Sequence, residues 1–100
     1  MDRYMTIDTG IAVECGLEAA LIYSLIESEV DAYRKVNANR FDDNYWVRMP
    51  REDIIQKLPI IKPYSISRSL ANLIASGYLI EGIYNEDSFD RTKWYAKPIK

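Results

Sequence analysis

The sequence predicts an α+β fold of three main helices and a small antiparallel sheet, and three observations carry that reading. Residues 64–80 spell a short helix, its stop and the start of a strand in consecutive phrases. Residues 78–95 then read as strand, polar turn and strand. Residues 17–34 hold no Pro or Gly, and their apolar positions keep a helical period. A long helix, a second short helix, a third helix and then a hairpin is the order of a winged helix-turn-helix, with the C-terminal hairpin as its wing. The 100 residues, 48% of them hydrophobic, suffice for one core, so residues 1–100 are expected to form a single domain.

Tyr4–Asp8 reads as a short strand and Ile11–Val13 as a first helical turn ahead of Gly16. In the long helix that follows, Leu17, Ala20, Leu21 and Leu25 lie on one stripe and Ile22, Ile26, Val30 and Tyr33 on the next. This apolar surface serves as core, with a share of it available to a partner subunit or an additional element. Lys35–Asn44 reads as a polar connecting loop, and Tyr45–Arg48 as a short strand placed to join the wing, because two strands alone are marginal in water.

Pro50 suits the first turn of a helix running to Leu58, with Glu52 and Asp53 early and Lys57 late as the helix dipole prefers. Its buried face is Ile54, Ile55 and Leu58, and Pro59–Tyr64 is the turn. Ser65 is the expected N-cap of the next helix, whose inner stripe is Ile66, Leu70, Leu73 and Ile74. Ser67, Arg68, Ser69, Ala71 and Asn72 fall on the opposite face, as small or hydrogen-bonding side chains suited to phosphates and base edges. Gly77 is placed for the left-handed stop. The wing then reads as a strand over Tyr78–Tyr84, a turn over Asn85–Asp90 and a strand over Arg91–Tyr95, on which only one of Trp94 and Tyr95 can face the helices.

Charge is uneven along the chain. Residues 1–33 carry one cation, Arg3, against seven acids, whereas residues 34–100 carry twelve cations against eight acids; local nets of −6 and +4 sum to the overall −2. Arg48, Arg51, Lys57, Lys62 and Arg68 make the helix-turn-helix locally basic, although a pI of about 5.1 is not that of a strongly basic nucleic-acid binder.

Several chemistries are excluded on composition. Without His, and with Cys15 alone, the chain lacks the commonest general base, a zinc set and an internal disulfide. Asp42-Asp43, Glu52-Asp53 and Glu86-Asp87 are adjacent carboxylates, but neighbours point apart on a helix or strand and loop acids are usually solvated, and no Gly-rich phosphate loop is present. The expectation is a non-enzymatic protein with no cofactor and no metal. Met1-Asp2-Arg3-Tyr4 leads into a polar stretch unlike a signal peptide, no apolar run is long enough for a membrane, and the expected setting is the reducing cytoplasm.

Gly16-Leu17-Glu18-Ala19-Ala20, Tyr45-Trp46-Val47, Ser65-Ile66-Ser67-Arg68-Ser69-Leu70, Gly77-Tyr78-Leu79-Ile80, Tyr84-Asn85 and above all Phe89-Asp90-Arg91-Thr92-Lys93-Trp94-Tyr95 carry a resemblance. Together they resemble the N-terminal winged-helix domain of phage replisome-organiser proteins, including DnaD-like replication initiators. The terminal Asp-Arg-Thr-x-Trp-Tyr pattern is the more specific part, whereas Ser-Ile-Ser-Arg-x-Leu recurs in many winged helices. The resemblance implies a sequence-specific duplex-DNA binder that marks a replication origin. It places recognition on Ser65, Ser67, Arg68, Ser69 and Asn72, and wing contacts on Asn85, Ser88, Arg91 and Lys93. Two departures stand out: members usually continue into a C-terminal recruiting domain, and Met49-Pro50 stands where a capping Ser is common.

In that reading Arg68 meets a guanine or phosphate and Asn72 an adenine, while Lys62, Tyr64, Ser65, Ser67 and Ser69 fix the register on phosphates and Arg91 or Lys93 anchors the wing. The long first helix is the expected surface for a homodimer or a replication-protein partner. Two other readings share the scaffold: a small phage-encoded interaction module or inhibitor of the anti-defence type, and a dimeric transcriptional repressor.

Overall fold

The computed structural model describes residues 4–98, so Met1–Arg3, where a signal peptide was discounted, lie outside the described residues. The chain runs α1 (Thr9–Cys15), α2 (Leu17–Val36), β1 (Arg40–Phe41), β2 (Asn44–Tyr45), β3 (Val47–Arg48), α3 (Arg51–Lys57), a single 3-10 turn (Pro63–Ser65), α4 (Ile66–Ala75), β4 (Ile80–Gly82) and β5 (Trp94–Ala96). Strands β3, β5 and β4 form one antiparallel sheet in that order, with Val47 opposite Tyr95 and Gly82 opposite Trp94. Helices α2, α3 and α4 with this sheet and its β4–β5 wing make a winged helix-turn-helix.

The core gathers the inner faces of all these elements. Ala19, Ile22, Ile26 and Val30 of α2 meet Ile54 and Leu58 of the α3 segment, Ile66 and Leu73 of α4, and Val47, Leu79 and Tyr95 of the sheet region. Truncating any of the isoleucines to Ala costs about 2–5 kcal/mol on general grounds. The stripe of α2 is therefore mostly core, though Leu17 at its start stays 59% exposed. Tyr95 is the inward aromatic at 5% exposure and Trp94 faces the other side of the sheet. Gly77 has φ of +83°, and the N–H groups of Gly77 and Tyr78 close onto the carbonyls of Ile74 and Leu73 to end α4.

Four elements differ from the sequence reading. Tyr4–Asp8 is not a strand; its Thr6 carbonyl accepts a 2.6 Å hydrogen bond from the Ser24 hydroxyl and Asp8 caps α1 by accepting from the Ile11 N–H. The loop expected over residues 35–44 holds the end of α2, closed by Asn37 at φ +52°, and the β1–β2 hairpin. That hairpin turns on Asp42 and Asp43, both at positive φ, which is the two-residue geometry that matches strand twist. The strand expected over Tyr45–Arg48 is split at Trp46 between the two sheets. The wing strands are shorter than expected, because residues 83–93 form a loop braced by side chains rather than by ladder hydrogen bonds.

A second, smaller cluster joins the hairpin to the wing. Phe41 stacks on Tyr84 at 4.9 Å between ring centroids, Trp46 lies 4.7 Å from Tyr84, and Trp94 meets Phe41 and Tyr84 edge-on. The Trp46 indole donates to the Phe41 carbonyl at 2.8 Å, so its polar end is satisfied. The Tyr84 hydroxyl donates to the Asp42 carboxylate at 2.7 Å, and burial with that bond pushes the phenol up to about 12.

Candidate nucleic-acid interface

Helix α4 has three distinct surfaces. Ile66, Ser69 and Leu73 are buried, Leu70 and Ile74 are half-buried, and Ser67, Arg68, Ala71, Asn72 and Ala75 are exposed. Leu70, Ala71, Ile74 and Ser67 border a cleft of about 610 Å³ whose other walls include Arg51 of α3 and Thr92 and Lys93 of the wing. Small side chains in the exposed face allow close approach to a groove, and the only long polar ones it presents are Arg68 and Asn72.

The entry to α4 is built differently from the simple cap expected. Ser65 is 4% exposed and makes no capping bond to α4; its hydroxyl donates to the Glu18 carboxylate of α2 at 2.7 Å and lies 2.8 Å from the Lys62 carbonyl. The Lys62 N–H also donates to Glu18, at 3.2 Å. These contacts, Ser65 first, hold the Glu18 carboxyl below the usual carboxylate range, and Lys62 and Arg68 add to the effect by charge. Ser69 is 7% exposed on the same side. Ser65 and Ser69, expected on the recognition face, are thus both buried, Ser65 against Glu18 of α2. Tyr64 projects at 76% exposure, and Lys62 and Ser67 are exposed.

The wing is braced from within. Asn85 donates to the carbonyls of Asp90 and Thr92 at 2.9 Å and accepts from the Trp94 indole at 2.7 Å. Its side chain, expected at the wing contact, is engaged by the loop itself. Asp90 accepts from the Thr92 hydroxyl and N–H and pairs with Arg48 at 3.1 Å; these bonds, Thr92 foremost, pull its carboxyl down to about 2. Lys93 pairs with Glu81 at 3.3 Å, while its carbonyl accepts from the Met49 N–H. Ser88 and Arg91 are exposed on this frame, as is Phe89 at 90%.

The charge asymmetry of the sequence is largely spent inside the molecule. Glu27 and Asp31 of α2 meet Lys97, Asp31 also meets Arg34, and Glu29 meets Lys57. Arg40 pairs with Asp43, Arg48 with Asp90 and Lys93 with Glu81. Among the described residues, Lys35, Arg51, Lys62, Arg68 and Arg91 are left without an ion pair. Four of these five belong to α3, the turn, α4 or the wing. Arg51 occupies the first turn of α3, where the dipole disfavours a cation, and donates to the Pro63 carbonyl at 2.9 Å. Arg51 was counted in the basic patch of the sequence but not among the expected contact residues. Glu18 had no local signal, since its partners lie 44 and 47 positions away.

Among the described residues no three His, Cys, Asp or Glu side chains gather as a metal site, and no helix is long and apolar enough to cross a membrane. Cys15 is half-buried beside the end of α4, its Sγ 3.5 Å from Ser76 Oγ.

No family model and no curated protein matches the chain. Two solved structures are similar in fold. One, described as the N-terminal domain of a DNA-binding protein, is 15% identical over 99% of this chain and 76% of that chain, with a TM-score of 0.65. The other, from the structure of a Rep-DNA complex, is 13% identical over 98% of this chain and 76% of that chain, with a TM-score of 0.64. At this level of identity the likeness concerns the fold alone.

Proposed function

We propose that this winged helix binds duplex DNA without catalysing a reaction, as the sequence-specific binding domain of a replication initiator of the phage or mobile-element kind. The observation that carries the reading is the distribution of unpaired cations: Arg51, Lys62, Arg68 and Arg91 surround α4 and the wing, while Glu27, Glu29 and Asp31 of α2 are paired with Arg34, Lys57 and Lys97. The two similar structures are described as a DNA-binding protein and a Rep-DNA complex, which agrees with this reading. In the proposed complex α4 enters the major groove, Arg68 contacts a guanine or phosphate, Asn72 an adenine, and Lys62, Tyr64 and Ser67 fix the register. Arg91, Ser88 and Lys93 contact the backbone beside the wing, Lys93 after exchanging Glu81 for a phosphate.

The test is selection of binding sites from random duplexes, followed by titration of a selected duplex and its scrambled version at several salt concentrations. The reading expects enrichment of a defined site and a log-log salt slope of about −3 to −5, the release from roughly four or five phosphates. No enrichment and no binding at low salt would overturn it.

A further inference from the structure

The entrance to α4 carries a negative charge that simple phosphate binding would not call for. Glu18 sits in the first turn of the 20-residue helix α2, where the dipole favours a carboxylate. From there its Oε2 accepts from the Lys62 N–H at 3.2 Å and the Ser65 hydroxyl at 2.7 Å. The Lys62 N–H is a donor that a DNA phosphate at this turn would otherwise take. Lys62 and Arg68 both act on Glu18 by charge, and neither is ion-paired among the described residues.

Resting on the duplex-DNA reading above, we propose that Glu18 is a specificity-determining residue, a fixed counter-anion that opposes the binding of Lys62 and Arg68 to phosphates. Non-specific complexes depend on phosphate contacts almost entirely, so they bear the full cost of the repulsion. A specific complex sends Arg68 to a base edge, away from the backbone, and bears less of it. The carboxylate therefore weakens wrong sites more than the right one. Ser65 and the Lys62 N–H hold it in place, which makes them parts of the same device rather than ligand contacts.

Glu18→Gln tests this, because the amide oxygen still accepts both hydrogen bonds while the charge is gone. Against the scrambled duplex at low salt, affinity is expected to rise about threefold to tenfold, with a smaller rise against the selected duplex and both gains fading at high salt. Ser65→Ala removes one of the bonds that hold the carboxylate but keeps its charge, so its gain against the scrambled duplex is expected to be smaller than that of Glu18→Gln. Equal affinities for wild type and Glu18→Gln at low salt, or a gain that persists at high salt, would overturn the proposal while leaving duplex binding intact. If the unmodified chain binds neither duplex, the DNA reading fails and this inference fails with it.

Discussion

Asn85 and Trp94 are joined across the wing by a 2.7 Å hydrogen bond from the indole Nε1 to the amide oxygen, while the Asn85 NH₂ spans the carbonyls of Asp90 and Thr92. One side chain thus closes a loop that has no ladder of its own. Asn85→Ala leaves three partly buried groups without their partner, and destabilisation by about 1–3 kcal/mol is expected in chemical denaturation. A midpoint equal to that of wild type would show that water replaces the brace at no cost.

Gly82 lies under the aromatic cluster. A Cβ there would stand 2.9 Å from Tyr84 Cε2 and 3.2 Å from two atoms of the Trp46 ring. Backbone conformation is not the obstacle, since Gly82 does not take a positive φ. Gly82→Ala should therefore cost about 1–3 kcal/mol through overpacking, with a changed near-ultraviolet circular dichroism signal from the tryptophans. A stable variant with an unchanged spectrum would mean that the hairpin carrying Phe41 moves freely away from the wing.

The Thr92 and Arg48 bonds that hold Asp90 at about 2 set a pH dependence. The folded value lies below the unfolded one of about 4, so the contribution is complete above about pH 4. It is lost as the pH falls through the folded value of about 2. Urea midpoints of wild type and Asp90→Asn should accordingly differ near neutrality and converge between about pH 4 and pH 2. Parallel curves over that range would detach Asp90 from the wing's stability.

Arg68 and Ser65 lie three residues apart and should behave oppositely. Arg68 is exposed, so Arg68→Ala is expected to leave the melting temperature near that of wild type and to weaken specific binding by about 1–3 kcal/mol for a bidentate base contact. Ser65 is buried, so Ser65→Ala should lower the melting temperature. Lys62→Ala should weaken binding evenly across sequences and reduce the salt slope by about 1. Intact affinity in a folded Arg68→Ala would remove Arg68 from the interface.

Local patterns carried most of the fold. The stripe of Ile66, Leu70, Leu73 and Ile74, the stop at Gly77 and the addition of Val47–Arg48 to the wing sheet all follow from period, turn chemistry and strand composition. The β1–β2 hairpin was missed because two-residue strands leave no alternation to detect, though Asp42-Asp43 between Arg40-Phe41 and Asn44-Tyr45 is a turn signal of the right length. The exposure of Arg68 and Asn72 was legible from helical period alone. The burial of Ser65 was not, because its partner is Glu18 of α2, far away in the chain. Asn85 reads in sequence as a turn residue with a free amide, and only the return of Asp90, Thr92 and Trp94 reveals what occupies it.

Amide chemical-shift mapping during titration with a selected duplex locates the contact surface without relying on any substitution. The largest shifts are expected at Lys62, Ser67, Arg68, Ala71 and Asn72, with a second set at Ser88 to Lys93 and little change on the α2 face of Tyr23, Glu27 and Asp31. Shifts concentrated on that α2 face, with α4 and the wing unmoved, would contradict the duplex-DNA reading.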